Sequence, residues 1–470
     1  MNSYIGSLRR GRPLVFALAV CWVALSIGAA AAEEPSRPKS FAIQGAKLVP
    51  VSGPVVEAGT IVFEDGLITA IGRDIQIPPG AWLIEGKGLT VYPGLIDAMS
   101  SVGLPEQDRG RRGGPGNRGG SGSQGELPVS AGPEDRPATK TWALAADEFD
   151  PANDRVKAWR EAGFTSAVVA PMDGIFPGQA AVINLAGDRA SEMVIQPQVA
   201  LVINIGYSGG YRGFPNSLMG YITYVRQLFH DAGQYSAAWA VYRDDPSGLE
   251  RPAYDRTLAP LVEAKSEKRP VLYPGDLAKE IHRALNLSKE LGFPLIVYGA
   301  HQGYEAAAAL AERKTPVMVN LKWPEKEGDA DPEEEEPLRV LRLRDRAPST
   351  PAAFEKAGVK FAFYSGEIRS AAEILPKVRT AIEKGLSPEA ALRALTLSAA
   401  EIYGVENRLG SLDSGKIANL VVTEGDLFAE KPKLKMVFVD GQKYDIRPPR
   451  EEKPEDKEQA SETPQQEGTP

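Results

Sequence analysis

Histidine is scarce in this chain. Three stand among 470 residues, His230, His282 and His301, and none is paired at His-x-His spacing. A metal centre would therefore have few imidazoles to draw on. Cysteine is scarcer still. Cys21 lies in the apolar start of the chain, so everything after residue 32 lacks disulfides, thiolate ligands and a thiol nucleophile. Basic charge is in deficit, with 54 Lys and Arg against 62 Asp and Glu and a formal charge of −8. That balance argues against nucleic acid as a partner. No Gly-rich phosphate loop of the Walker type occurs. Ser100, Ser101 and Ser365 have no evident His and Asp apparatus around them, so a serine hydrolase would lack its base.

Long apolar runs are missing except at 14–27. That run follows Arg9, Arg10 and Arg12 and precedes Ala30-Ala31-Ala32, a small-residue cleavage pattern. It is too short and wrongly flanked for a comfortable membrane span. The expectation is an export signal over 1–32 and a periplasmic or extracellular protein. An uncleaved anchor is the alternative.

Two β-rich segments stand at opposite ends of the remaining chain. Residues 41–92 hold apolar runs around an Asp65-Gly66 turn, and 405–446 hold Leu420-Val421-Val422 and Met436-Val437-Phe438-Val439 before Asp440-Gly441. Asp-Gly between apolar runs marks a tight hairpin. Neither segment alone has enough strands to bury a face, so the two are expected to build one composite β-sandwich. Between them, short apolar runs alternate with helical patterns. The runs lie at 164–169, 199–204, 269–273, 293–298, 316–321 and 359–364. This is α/β patterning, and a (β/α)8 TIM-like barrel over 93–404 is its natural closure, with function at the C-terminal ends of the strands. Residues 106–140 (Gly, Arg, Pro and Ser) and 324–350 (acidic, then basic) read as flexible inserts. Residues 447–470 read as a disordered tail. The loop from Gly206 to Gly213, with Tyr207, Tyr211 and Arg212, is either a ligand contact or an irregular turn.

One stretch organises the rest: Val91-Tyr92-Pro93-Gly94-Leu95-Ile96-Asp97-Ala98-Met99-Ser100-Ser101. It resembles the signature of the amidohydrolase superfamily, in which a short strand ends in Pro-Gly-Leu-Ile-Asp-Ala-His-x-His. The returning segment Gly410-Ser411-Leu412-Asp413-Ser414-Gly415-Lys416-Ile417-Ala418-Asn419-Leu420-Val421-Val422 is similar to that family's closing strand. The helix at 396–404 is similar to the one before it. The imidazolonepropionase-like branch fits best. The resemblance implies hydrolysis of C–N bonds by one or two divalent ions, Zn or a similar metal, which acidify a bound water. It also implies ligands from a His-x-His pair, two later histidines, an aspartate on the last strand and often a carboxylated lysine.

Against that pattern the chain presents vacancies. Met99 and Ser101 stand for the paired histidines, Tyr298 for a later one and Gly366 for the aspartate. His301 and Glu367 remain as weak catalytic or metal candidates; a lone loop histidine is the plainer reading of His301. His282 and His230 read as ordinary helix residues, and Asp97 as a structural hydrogen-bonding group. The expectation is a non-catalytic relative without a resident metal. It would bind a small amide or peptide, or assemble as a homo-oligomer or as a heteromer with an intact homologue. The alternative is an active hydrolase with an atypical metal site.

Overall fold

The computed structural model describes residues 40–105, 133–205, 214–326 and 335–446. The expected export signal, most of the first insert, the Gly/Tyr loop, most of the acidic run and the tail lie outside the described residues. Five strands come first: β1 (Ser40–Leu48), β2 (Val56–Glu64), β3 (Leu67–Gly72), β4 (Trp82–Glu85) and β5 (Leu89–Pro93). Eight follow: β6 (Leu95–Ser100), β7 (Phe164–Val169), β8 (Gly178–Asn184), β9 (Val194–Val202), β10 (Val271–Gly275), β11 (Leu295–Gly299), β12 (Val317–Asn320) and β13 (Phe361–Tyr364). Three close the fold: β14 (Leu420–Glu424), β15 (Lys433–Val439) and β16 (Gln442–Asp445).

The two ends of the chain form one sheet, in the order β16-β15-β14-β5-β1-β2-β3, with β4 beside β1. Phe63 on β2 and Phe438 on β15 are four strands apart in that order, yet their ring centroids lie 4.9 Å apart. A flat sheet would separate them by roughly 19 Å at ~4.8 Å per strand, so the sheet curls face to face as a sandwich. Both Asp-Gly turns adopt left-handed backbone, with φ of 47° at Asp65, 81° at Gly66, 51° at Asp440 and 72° at Gly441. Such turns match the twist of the strands they join. They also meet: Ala418 N–H donates to Gly66 and Gly441 N–H to Ala418. The sandwich is thus composite at the level of single hydrogen bonds.

The second sheet runs β6 to β13 in chain order. Its strands are parallel except β8, which pairs antiparallel with both β7 and β9. The eight-stranded α/β barrel expected from patterning is present, with one strand reversed. That strand, Gly-Gln-Ala-Ala-Val-Ile-Asn, is wholly buried and lies in a stretch the sequence reading left unassigned. Alternation along the strands separates two cores. Ile296, Tyr298, Ala362 and Tyr364 fill the barrel interior, while Leu295, Val297, Phe361 and Phe363 face the helices.

The Pro93-Gly94 step is where the chain passes from sandwich to barrel. A Cβ on Gly94 would meet Thr165 Oγ1 at 2.0 Å, and its N–H donates to Asn419 O at 2.8 Å. Only glycine permits that approach. Asn419 secures the same junction. Its amide donates to Ser166 Oγ (3.0 Å) and Asn184 Oδ1 (2.8 Å) and accepts from Asp440 N–H (2.8 Å). A carboxylate has no proton for the first two bonds, which explains Asn rather than Asp here.

The second insert is not all excursion. Residues 338–346 form a helix, and Thr350 is fully buried at the start of the helix Thr350–Ala357. The first insert likewise ends in packed chain, with the Thr139 hydroxyl 2.6 Å from that of Tyr224.

Candidate functional site

β6 and β13 are the two ends of the barrel sheet, and among the described residues no ladder pairing joins them. Side chains and a helix close the seam instead. Ser365 N–H, just past β13, donates to Asp97 Oδ1 at 2.9 Å, and Trp159 Nε1–H donates to Oδ2 at 2.9 Å. Asp97 is 1% exposed. Burial pushes its carboxyl up, against the donors from Ser365 and Trp159. Two backbone groups of β6 turn to the segment after β13: Ile96 N–H donates to Leu395, and the Tyr403 hydroxyl donates to Ala98 O at 2.7 Å. The surviving acid of the family motif is therefore a clasp for the barrel.

The same cluster reaches the rim. Arg155 follows the capping residue Asn153 on the helix Asp154–Glu161 and lies 4.8 Å over the Trp159 ring. Its Nη1 donates to Ser101 Oγ at 3.1 Å. At one of the positions where the resemblance calls for an imidazole on a cation, a guanidinium already sits. Met99, the other, is 5% exposed and packs into the barrel interior.

Tyr298 ends β11 inside the barrel. Its hydroxyl donates to Ile203 O at 3.1 Å, across the mouth, and its ring meets that of Tyr364 edge-on at 6.5 Å. Burial pushes both phenols far above their usual range. A tyrosine serves a metal as phenolate, and Tyr298 is protonated with its proton committed. Gly366 has φ of 59°, and a Cβ there would meet Asn320 Oδ1 at 2.4 Å. An aspartate cannot stand at that position unless Asn320 moves. Glu367 points to solvent and pairs with Lys322 at 3.1 Å.

His301 is neither exposed nor alone. It is 7% exposed, on the turn after β11, and its Nδ1 lies 2.8 Å from Asp276 Oδ1. The same oxygen accepts the His301 backbone N–H at 3.1 Å. Burial alone would raise the Asp276 carboxyl, but His301 outweighs it and holds it below the usual range. The ring faces Trp323 at 5.9 Å, and Nε2 is buried without a partner. Sequence reasoning missed Asp276; its signal was an acid directly after a barrel strand. His230 and His282 lie exposed on helices.

The donor set does not fit the metal that the resemblance implies. Among the described residues no three His, Asp or Glu side chains converge on one point. A groove of about 510 Å³ at the opposite end of the barrel is lined by Phe293, Pro294, Lys268, Lys289, Arg313 and Lys314. Its lysines and arginine stand near helix C-termini, where cations offset the helix dipole.

Residues 283–444 match the sequence model of the amidohydrolase family. Over 54 residues, 11% of this chain, the sequence is 44% identical to an enamidase of Eubacterium barkeri, and the match spans 14% of that protein. The fold matches a solved amidohydrolase from Thermotoga maritima MSB8, with 24% identity, a TM-score of 0.71, 87% of this chain and 100% of that one. It also matches a Xaa-Pro dipeptidase solved with bound methionine, with 17% identity, a TM-score of 0.52, 86% of this chain and 100% of that one. These structural likenesses, each below a quarter identity, speak for the fold alone. Residues 283–444 thus carry the sequence pattern of the amidohydrolase family, and the described chain shares the fold of a solved amidohydrolase.

Proposed function

We propose that this chain is an amidohydrolase scaffold without the metal-dependent hydrolysis of its relatives, acting as a ligand-binding or partner subunit. One observation carries the reading: each vacated ligand position is committed to another contact. Met99 packs in the barrel, Ser101 accepts from Arg155, Tyr298 donates to Ile203, and Gly366 abuts Asn320. A catalytic metal needs several convergent donors and an open position for water. The ligand in this reading is a small amide or peptide; the partner is a second copy or an intact homologue. The pattern of residues 1–32 supports export. The imidazolonepropionase-like branch remains the best match to the motif letters. The alternative, a hydrolase of C–N bonds around His301 and Glu367, loses support from Glu367, which faces solvent beside Lys322.

Elemental analysis of the purified protein tests the reading, together with amide and dipeptide hydrolysis assays in added zinc, manganese or iron. The expected result is substoichiometric metal and no turnover. Stoichiometric metal, lost together with activity in His301→Ala or Glu367→Ala, overturns it.

A further inference from the structure

We propose that the groove at the strand-start end of the barrel binds a small organic phosphate. Its charge lies among Lys268, Lys289, Arg313 and Lys314, and its apolar body against Phe293 and Pro294. This site is at the opposite end of the barrel from the vacated rim, so it stands apart from the metal-free reading above.

The groove spans the starts of three adjacent parallel strands, β10, β11 and β12. Lys268 precedes β10 and Lys314 precedes β12, two strand spacings or roughly 10 Å apart across the sheet. Lys289 comes from the last turn of the helix Ala278–Leu291, and Arg313 directly follows the helix Ala307–Glu312. Arg313 Nη1 donates to Leu285 O at 3.3 Å, and Leu285 also lines the groove. At about 510 Å³ the groove has the size of a small-molecule site.

The last four strands of the barrel are each entered through a left-handed residue. These are Lys268 (φ 55°), Gly292 (73°), Lys314 (51°) and Gly358 (71°). Glycine takes that backbone freely and lysine does not. The helix dipole does not ask for lysine there. The helix Leu258–Ser266 already carries Lys265 in its last turn, and Thr350–Ala357 carries Lys356 ahead of Gly358. The two left-handed positions that hold lysine are the two that line the groove.

No Asp or Glu lines the groove. Among the described residues, Lys268, Lys289 and Lys314 have no ion-pair partner. Acids beside the lining residues in sequence pair elsewhere: Glu267 with Arg269, Glu290 with Arg226, and Glu401 with Lys360 and Arg393. Three helix ends contribute roughly −1.5 of charge, at about −0.5 each, and four cations outweigh them. The surplus selects an anion. The chain as a whole carries −8. An extended polyanion reaches past the Debye length of about 8 Å and meets that negative surface, whereas a compact one feels the groove. A phosphate monoester places about −1.5 to −2 on three acceptor oxygens, enough to engage several cations at once. The apolar lining favours an organic ester over the bare ion.

The test is isothermal titration calorimetry of the full chain with 1-naphthyl phosphate, and with inorganic phosphate, 1-naphthoate and 1-naphthol as comparators. The expected result is one 1-naphthyl phosphate per chain. Inorganic phosphate and 1-naphthoate should bind at least tenfold more weakly, and 1-naphthol not at all. The double variant Lys268→Gln and Lys314→Gln, with an unchanged circular dichroism spectrum, should weaken 1-naphthyl phosphate at least tenfold. Lys279→Gln with Lys431→Gln removes the same charge from exposed lysines outside the groove and should leave binding within twofold. Four outcomes would each overturn the proposal: no saturable binding, equal loss in both double variants, inorganic phosphate binding as tightly as the ester, or displacement of the ester by equimolar hexaglutamate. The last would assign the groove to an acidic peptide.

Discussion

Asp97 accepts from two buried donors on two different elements, Trp159 and Ser365. Replacing it with Asn keeps the shape but turns an N–H₂ toward one of those donors and leaves it unmet. Asp97→Asn should therefore cost about 1–3 kcal/mol at neutral pH, read from the urea midpoint. The pH dependence has a definite sign. Because burial raises the folded-state pKa above its ordinary value of 3.8, the native state binds the proton more readily than the unfolded chain. The cost of the ionised carboxylate is full above that raised value and falls away as pH drops toward 3.8. Wild type should thus gain on Asp97→Asn as the solution is acidified through this window; a difference independent of pH refutes the buried-carboxylate account. Asp276 behaves oppositely. Its pKa is lowered, so its contribution is present above 3.8 and is lost as pH falls through the depressed value.

The helix Leu218–Asp244 runs three turns past the last residue it buries in the core. Its fully buried residues stop at Ala232. Beyond that point aromatic contacts sustain it, with Tyr235, Trp239 and Tyr242 in edge-on succession and Arg243 and Arg251 over the Trp239 ring. No apolar period announces such a segment, because its partners are one another and not the core. The outer half should melt locally before the barrel does. Ala237→Pro is expected to reduce the helical circular dichroism signal while lowering the global unfolding free energy by less than the ~3 kcal/mol of an interior helix break. A loss of that full amount would mean the outer half is part of the cooperative core. β8 went unread for a related reason: its small, unbroken apolar run has neither alternation nor helical period.

At the scale of the molecule, the vacated rim is held shut by several elements at once. The triple variant Met99→His, Ser101→His and Gly366→Asp should bind less than one equivalent of zinc by elemental analysis. Arg155 still stands against position 101, and Asn320 still fills the space beside position 366. Its unfolding free energy, read from urea titration, should fall by about 1–3 kcal/mol through the strained, crowded residue at 366. One firmly bound zinc in this triple variant would show that the motif letters alone were missing.

Local chemistry made much of the architecture legible. Asp-Gly turns need left-handed backbone, Pro93-Gly94 needs a side-chain-free approach to Thr165, and short apolar runs between helical patterns suit a mostly parallel α/β sheet. These are demands of neighbouring residues in the chain, so motif and period report them. The fate of the site was written in pairs distant in sequence. Asp97 meets Ser365 268 residues away, Tyr298 meets Ile203 95 away, and His301 meets Asp276 25 away. Letter by letter, His301 looked like a stray loop histidine and Asp276 went unnoticed. Folding sets the half-exposed Asp276 against the buried His301 and turns two ordinary residues into an oriented pair.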